Sequence, residues 1–209
     1  MSFSRLAAAL LLFVVAHSAP CQQPIVVIPE EAPTPLLLDQ PQIVLLFGII
    51  KPDGELSHHV AGSILSDCKA AGKAPIILYI DSVGGDITQG GLILSAMQLC
   101  TTHPIYTVDI ANADSMAAII FEHGTKRFMF PYAELMFHEA TVGGIGTIEQ
   151  AQVQLDLVKK EVEHIEKYLA TKLGLSLEAF RVKERTQWWL VGEEAIKAGA
   201  ADAIGDPGL

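Results

Sequence analysis

The sequence predicts an α/β fold built on a mostly parallel sheet, with helices on its faces. Two observations carry that expectation. Short continuous apolar runs bounded by Gly or Pro alternate with stretches of helical spacing from Ile43 to Ala140. Half of the 209 residues are apolar, which is enough for one sizeable core.

The chain begins unlike its remainder. Leu6 to Ala16, "LAAALLLFVVA", is an unbroken apolar run behind Arg5, too short to span a bilayer. With small residues at Ala16 and Ser18 it reads as a secretory signal over residues 1–18, so export to a periplasm-like compartment is expected. Pro20 occupies the place where a small residue is wanted before a lipidated cysteine, which speaks against an anchor at Cys21. Residues 19–41 hold Pro20, Pro24, Pro29, Pro33, Pro35 and Pro41 and read as a linker. Residues 42–209 form the expected globular domain.

"IVLLFGII", Ile43 to Ile50, reads as a fully buried strand. Leu56 to Ala71 is helical, with Val60, Ile64, Leu65 and Cys68 on one stripe. "APIILYI" is a second buried strand, broken by "DSVGGD". Ile87 to Leu99 returns to helical spacing, and "PIYTVDI" is a third strand. "SMAAIIFEHG" is a helix expected to close at Gly124, and "KRFMF" and "ELMFHEA" give further short strands. A helix is expected over residues 147–173. Ile148, Ala151, Leu155, Val158, Val162, Ile165 and Leu169 form a narrow apolar seam, with Glu163, Glu166 and Lys167 among the polar faces. Thr147 and Gln150 make a capping box and Gly174 ends the helix. The seam can pack on its own domain or on a second copy. Glu193 to Ala198 reads as a short helix ended by Gly199, and "AADAI" as a last strand.

Charge and cysteine content exclude several functions. The chain carries 14 basic and 24 acidic residues, a net −10, which is the wrong sign for a nucleic-acid surface. No stretch matches a phosphate-cradling nucleotide loop. Neither His nor Cys spacing suggests a metal site, and no cofactor is expected. Three cysteines, Cys21, Cys68 and Cys100, give no disulfide framework by count, and the last two read as small core residues.

Three strand ends in this half carry reactive groups. Gly84 and Gly85 follow one strand, Ser115 follows the next and starts a helix, and His138 ends a later one. Acyl transfer needs a hydroxyl with an adjacent base and fixed amide donors for the developing oxyanion. A serine before an apolar helix is ordinarily a cap, a Gly pair a turn, and a lone His structural. Their shared place at the carboxyl ends of neighbouring strands sets this combination apart.

The stretches "LYIDSVGGDITQGGLILSAMQ", "ADSMAA" and "KRFMFPYAELMFHEA" resemble the proteolytic subunit of the Clp protease family, serine peptidases of repeated ββα, Clp/crotonase-like fold. The long helix resembles that family's handle, and "GEEAIKAGAADAI" its closing segment. The resemblance implies Ser115 as nucleophile, His138 as general base, and Gly85 and Met116 as oxyanion-hole amides. Ile145 and nearby glycines match the region that binds extended peptide. The resemblance further implies peptide or unfolded-protein substrates and a homo-oligomer of stacked rings, fed in cytosolic members by a ring ATPase.

Four departures stand out. Val83 replaces a proline before the glycines, and Asp114 replaces a small residue before the serine, where its carboxylate either raises the imidazole pKa or faces solvent. The family's triad aspartate aligns with Gln187, with Glu184 as the nearby carboxylate that could substitute. The fourth is the exported N-terminus: outside the cytosol there is little ATP, which speaks against a ring-ATPase unfoldase partner. Two alternatives follow: a catalytically impaired scaffold, and a superfamily relative using a Ser/Lys pair. Lys126, the nearest lysine, sits at the far end of the helix from Ser115.

Overall fold

A computed structural model describes residues 37–38, 40–143 and 146–208. The expected signal segment, most of the Pro-rich stretch, Cys21 and Ile145 lie outside the described residues.

The elements follow in chain order as β1 (Leu37–Leu38), β2 (Gln42–Phe47), α1 (Glu55–Asp67), β3 (Ala71–Gly72), β4 (Ile76–Ser82), α2 (Ile87–Leu99), β5 (Ile105–Asp114) and α3 (Met116–Glu122). Then come β6 (Lys126–Met129), β7 (Glu134–Phe137), α4 (Ile148–Lys172), α5 (Leu177–Glu184), β8 (Trp188–Val191), α6 (Glu193–Lys197) and β9 (Ala203–Ile204). The main sheet runs β2-β4-β5-β6-β9 with every neighbour parallel, as the alternation of strand and helix requires. β5 forks the sheet. Its first half pairs with β6 and its second with β7, and β8 returns antiparallel beside β7. The fork brings the ends of β5 and β7 together.

The core lies between the sheet and the helices. Val44, Leu46, Leu78, Ile80, Ile64, Ile93 and Phe121 are fully enclosed there. The alternate residues of β2 are exposed: Ile43, Leu45 and Phe47, followed by Ile49. A strand with period-2 burial has one face uncovered in the single chain. The continuous apolar run over Ile43 to Ile50 therefore predicts burial on both sides that the chain alone does not supply.

Several expectations are corrected by the tertiary arrangement. Leu37–Leu38, inside the Pro-rich stretch, pairs parallel with Ala71–Gly72, the end of the expected first helix. Neither α5 nor β8 was anticipated, because "ERTQWWLV" has no clean periodicity and its pairing partner is β7, about fifty residues upstream. α3 ends at His123 rather than through a left-handed Gly124. That glycine is needed because a Cβ there would stand 2.2 Å from Thr107 Oγ1. Cys68 and Cys100 form a disulfide. They cap the C-terminal ends of α1 and α2, whose side-by-side packing brings the two Cα atoms to 5.5 Å. The odd cysteine count gave no sign of the pair.

α4 starts at the expected capping box and is followed by a left-handed Gly174. The C-terminal half of its seam packs on its own chain. Leu169 is buried, Val162 and Ile165 are half-buried, and burial falls away toward Ile148. Val153 and Leu157, off the seam, are exposed. Glu166 departs from the expected polar face. It is only 9% exposed and receives Arg181 of α5 at 2.6 Å.

Candidate active site

Ser115 joins the end of β5 to the start of α3. Its backbone sits at φ 56°, ψ −120°, a region an L-residue enters only when its surroundings force it. The forcing contacts are visible. Its N–H donates to Met136 O of β7 at 2.8 Å, while Met116 already begins the helix. The Ser115 side chain makes no capping bond to α3. The ordinary reading of a serine at this place, a helix cap, therefore does not describe it. Its Oγ instead lies 2.7 Å from His138 Nε2. His138 is half-buried, one residue beyond β7, and that strand end is held by the Phe137–Trp188 pairing with β8.

The glycine loop is fixed against the first crossover. Ile50 N–H donates to Gly84 O at 2.9 Å, and Asp86 N–H donates to Ile50 O at 2.8 Å. These two bonds occupy the groups on either side of Gly85. Among the described residues, no backbone bond outside the regular elements uses the N–H of Gly85 or of Met116. Met116 is the first residue of α3, where an N–H has no intrahelical acceptor. The pocket wall holds Gly85, Ser115, Met116 and His138 together. The arrangement is thus a hydroxyl, an imidazole and two unclaimed amide hydrogens around one cavity of about 290 Å³.

Val83 is exposed and forms part of the cavity rim. Asp114 does not enter the cavity. Burial, then the neighbouring Glu134, pushes its carboxyl up to about 6. Lys126 starts β6 and stacks over Tyr106, and no lysine lines the cavity among the described residues.

Gln187 is exposed, with φ 55°, at the turn between α5 and β8. Its backbone N–H caps α5 by donating to Glu184 O at 3.1 Å. No side-chain hydrogen bond joins it to His138 among the described residues, and the only partner recorded for the imidazole is Ser115. Glu184 is only 5% exposed and lines the cavity alongside His138 and Glu166. Burial, then a hydrogen bond with Glu166, holds its carboxyl well above the usual range. Glu166 is the cavity residue that the polar-face assignment missed. Its position between Val162 and Leu169, in steps of four and three, was the available signal.

The Clp protease family model matches residues 35–208. The ATP-dependent Clp protease proteolytic subunit 2 of Tropheryma whipplei (strain Twist) is 31% identical over 154 residues, which cover 73% of this chain and 85% of that protein.

Proposed function

The chain belongs to the Clp protease family and is a serine-type endopeptidase, and from that premise we propose that it hydrolyses peptide bonds through an acyl-enzyme on Ser115. The observation that carries the proposal is the 2.7 Å contact between Ser115 Oγ and His138 Nε2, made by a serine that caps nothing.

The geometry supports the following course. A substrate carbonyl enters the cavity, and Ser115 Oγ attacks it as its proton passes to His138 Nε2. The new oxyanion accepts from the N–H groups of Gly85 and Met116. Collapse breaks the C–N bond, and the imidazolium returns its proton to the leaving amine. Water then attacks the ester carbonyl with His138 again as base, releasing the acid and restoring Ser115. His138 lacks a side-chain partner for Nδ1 among the described residues. Removing the triad carboxylate costs about 10⁴ in rate elsewhere, so turnover slower than that of a full triad is expected. That same absence favours a second reading, a scaffold with little activity.

A fluorophosphonate probe separates the two. An adduct on Ser115 in the wild-type protein, absent from Ser115→Ala, supports the peptidase. No adduct on a folded, assembled chain supports the scaffold.

Two further parts belong to the proposal. Export is supported by the apolar run at Leu6 to Ala16 and by the Cys68–Cys100 disulfide, a bond that persists in oxidising compartments. Substrates there would be peptides or already unfolded chains, without an ATP-driven partner. Intact-mass analysis of the protein from a periplasmic fraction tests this, with loss of residues 1–18 and an oxidised disulfide as the expected result. Assembly into a homo-oligomer is supported by the uncovered apolar face of β2 and by exposed Ile148, Val153 and Leu157 on α4. Light scattering should find a large ring-sized particle, and a monomer at micromolar concentration would reject it.

A further inference from the structure

The cavity beside Ser115 contains a charge arrangement that acyl transfer does not use. Its walls are largely apolar, with Ile119, Phe137, Val162 and Leu169 among them. Glu166 from α4 and Glu184 from α5 nevertheless face it together, both buried. Glu166 has a cation: Arg181 donates to its Oε2 from Nε at 2.8 Å and from Nη2 at 2.6 Å. Glu184 has none within ion-pair distance among the described residues. The other charged groups near the pair are Glu139, Arg185, and Lys159 and Glu163 of α4; Arg185 is shared between Glu139 at 3.5 Å and Glu178 at 4.0 Å, and Lys159 reaches Asp156 at 4.0 Å.

Two buried carboxyl groups therefore have one ion-paired cation between them among the described residues. A buried carboxyl in that position holds a proton or acquires a positive partner. The cavity reaches from Glu184 to Ser115 and His138, so a partner can come from a substrate held at the site. Lysine and arginine suit such a space. Their aliphatic stems lie along apolar walls while the head group reaches the carboxyl. A purely apolar side chain would fill the same walls and leave Glu184 protonated.

We propose that this cavity receives the side chain on the acyl side of the scissile bond, and that Glu184, backed by Glu166, selects lysine or arginine there. The proposal rests on Ser115-dependent peptide hydrolysis. It makes the protein a peptidase that cleaves after basic residues.

The test uses the full chain and two fluorogenic peptides differing only at that residue, lysine against norleucine, which share the stem but not the charge. The wild-type protein should favour lysine in kcat/KM by about ten- to a hundredfold at pH 8, the range of a hydrogen-bonded charge pair. Glu184→Gln should lower the lysine-to-norleucine ratio by at least about tenfold. If that variant does not fold, the wild-type ratio measured from pH 6 to pH 9 suffices. It should rise as Glu184 loses its proton, because lysine stays charged throughout. A wild-type preference for norleucine, a ratio flat with pH, or an equal loss on both peptides in Glu184→Gln overturns the proposal. Equal loss would make Glu184 a positioning residue for His138 instead. Ser115 labelling by a fluorophosphonate without the lysine preference sinks this inference alone. Neither labelling nor cleavage sinks the hydrolase as well.

Discussion

Replacing Gly85 by alanine tests the oxyanion site directly. A Cβ at Gly85 would stand 2.1 Å from the Ile50 carbonyl oxygen and 2.9 Å from its carbon, where ordinary contact begins at 3.4 Å. The loop must retreat by about 1.3 Å, the shortfall between 2.1 and 3.4 Å. Ile50 O cannot yield freely, because it accepts from Asp86 N–H at 2.8 Å. The residue also sits at φ 144°, which an L side chain rarely adopts. A displacement of about 1 Å costs about 10² in rate, and loss of one oxyanion donor costs about 10²–10³, or about 2.7–4 kcal/mol. Gly85→Ala should therefore lower kcat on a fluorogenic peptide by about 10²–10³ while circular dichroism stays native. Gly91→Ala in α2, where an added Cβ meets nothing within 4 Å, is the matched control. If Gly85→Ala keeps more than a tenth of the wild-type kcat, the Gly85 amide is not a donor to the transition state.

Ser115→Ala should abolish peptide hydrolysis above background, and the backbone φ of 56° it would inherit carries about 1–3 kcal/mol of strain that serine already bears, so denaturation midpoints should barely change. Replacing both Cys68 and Cys100 by serine frees a loop with a sequence separation of 32. The chain-entropy relation gives about 3.7 kcal/mol for such a loop, read as a lower urea midpoint that matches the reduced wild-type protein; an unchanged midpoint would contradict it. Asp109 is fully buried, and burial pushes its carboxyl up to about 8. Its folded value lies above its unfolded one, so the native state holds the extra proton and stability falls as pH rises from about 4 toward 8. Asp109→Asn should flatten that fall in urea midpoints taken across pH 5 to 8, and an identical slope would refute it.

Much of the site was legible in the chain because its elements obey local rules. Ile87 to Leu99 is a helix with the bounds its spacing gives, and Thr147 with Gln150 starts α4 by a side-chain exchange encoded four residues deep. Ser115 and His138 stood out because each follows an apolar run, and a parallel sheet gathers such ends along one edge. The unexpected features all depend on distant partners. β8 exists as a strand only because β7 offers it a ladder. The Cys68–Cys100 bond follows from two helix ends meeting, which no spacing rule reports. Glu166 looked like solvent-facing charge until α5 covered it with Arg181.

The amino-acid order alone determined most of the strands and helices, the mostly parallel character of the sheet, and which side chains could carry acyl chemistry. It could do so because hydrophobic period, caps and turn residues act within a few positions of themselves. Only the folded chain decided that Ser115 turns its hydroxyl to His138 instead of capping α3, that Gln187 makes no hydrogen bond to the imidazole among the described residues, and that Glu184 shares a cavity with Glu166. Those outcomes depend on burial and on contacts between segments far apart in sequence, whose energies do not exist until the segments meet.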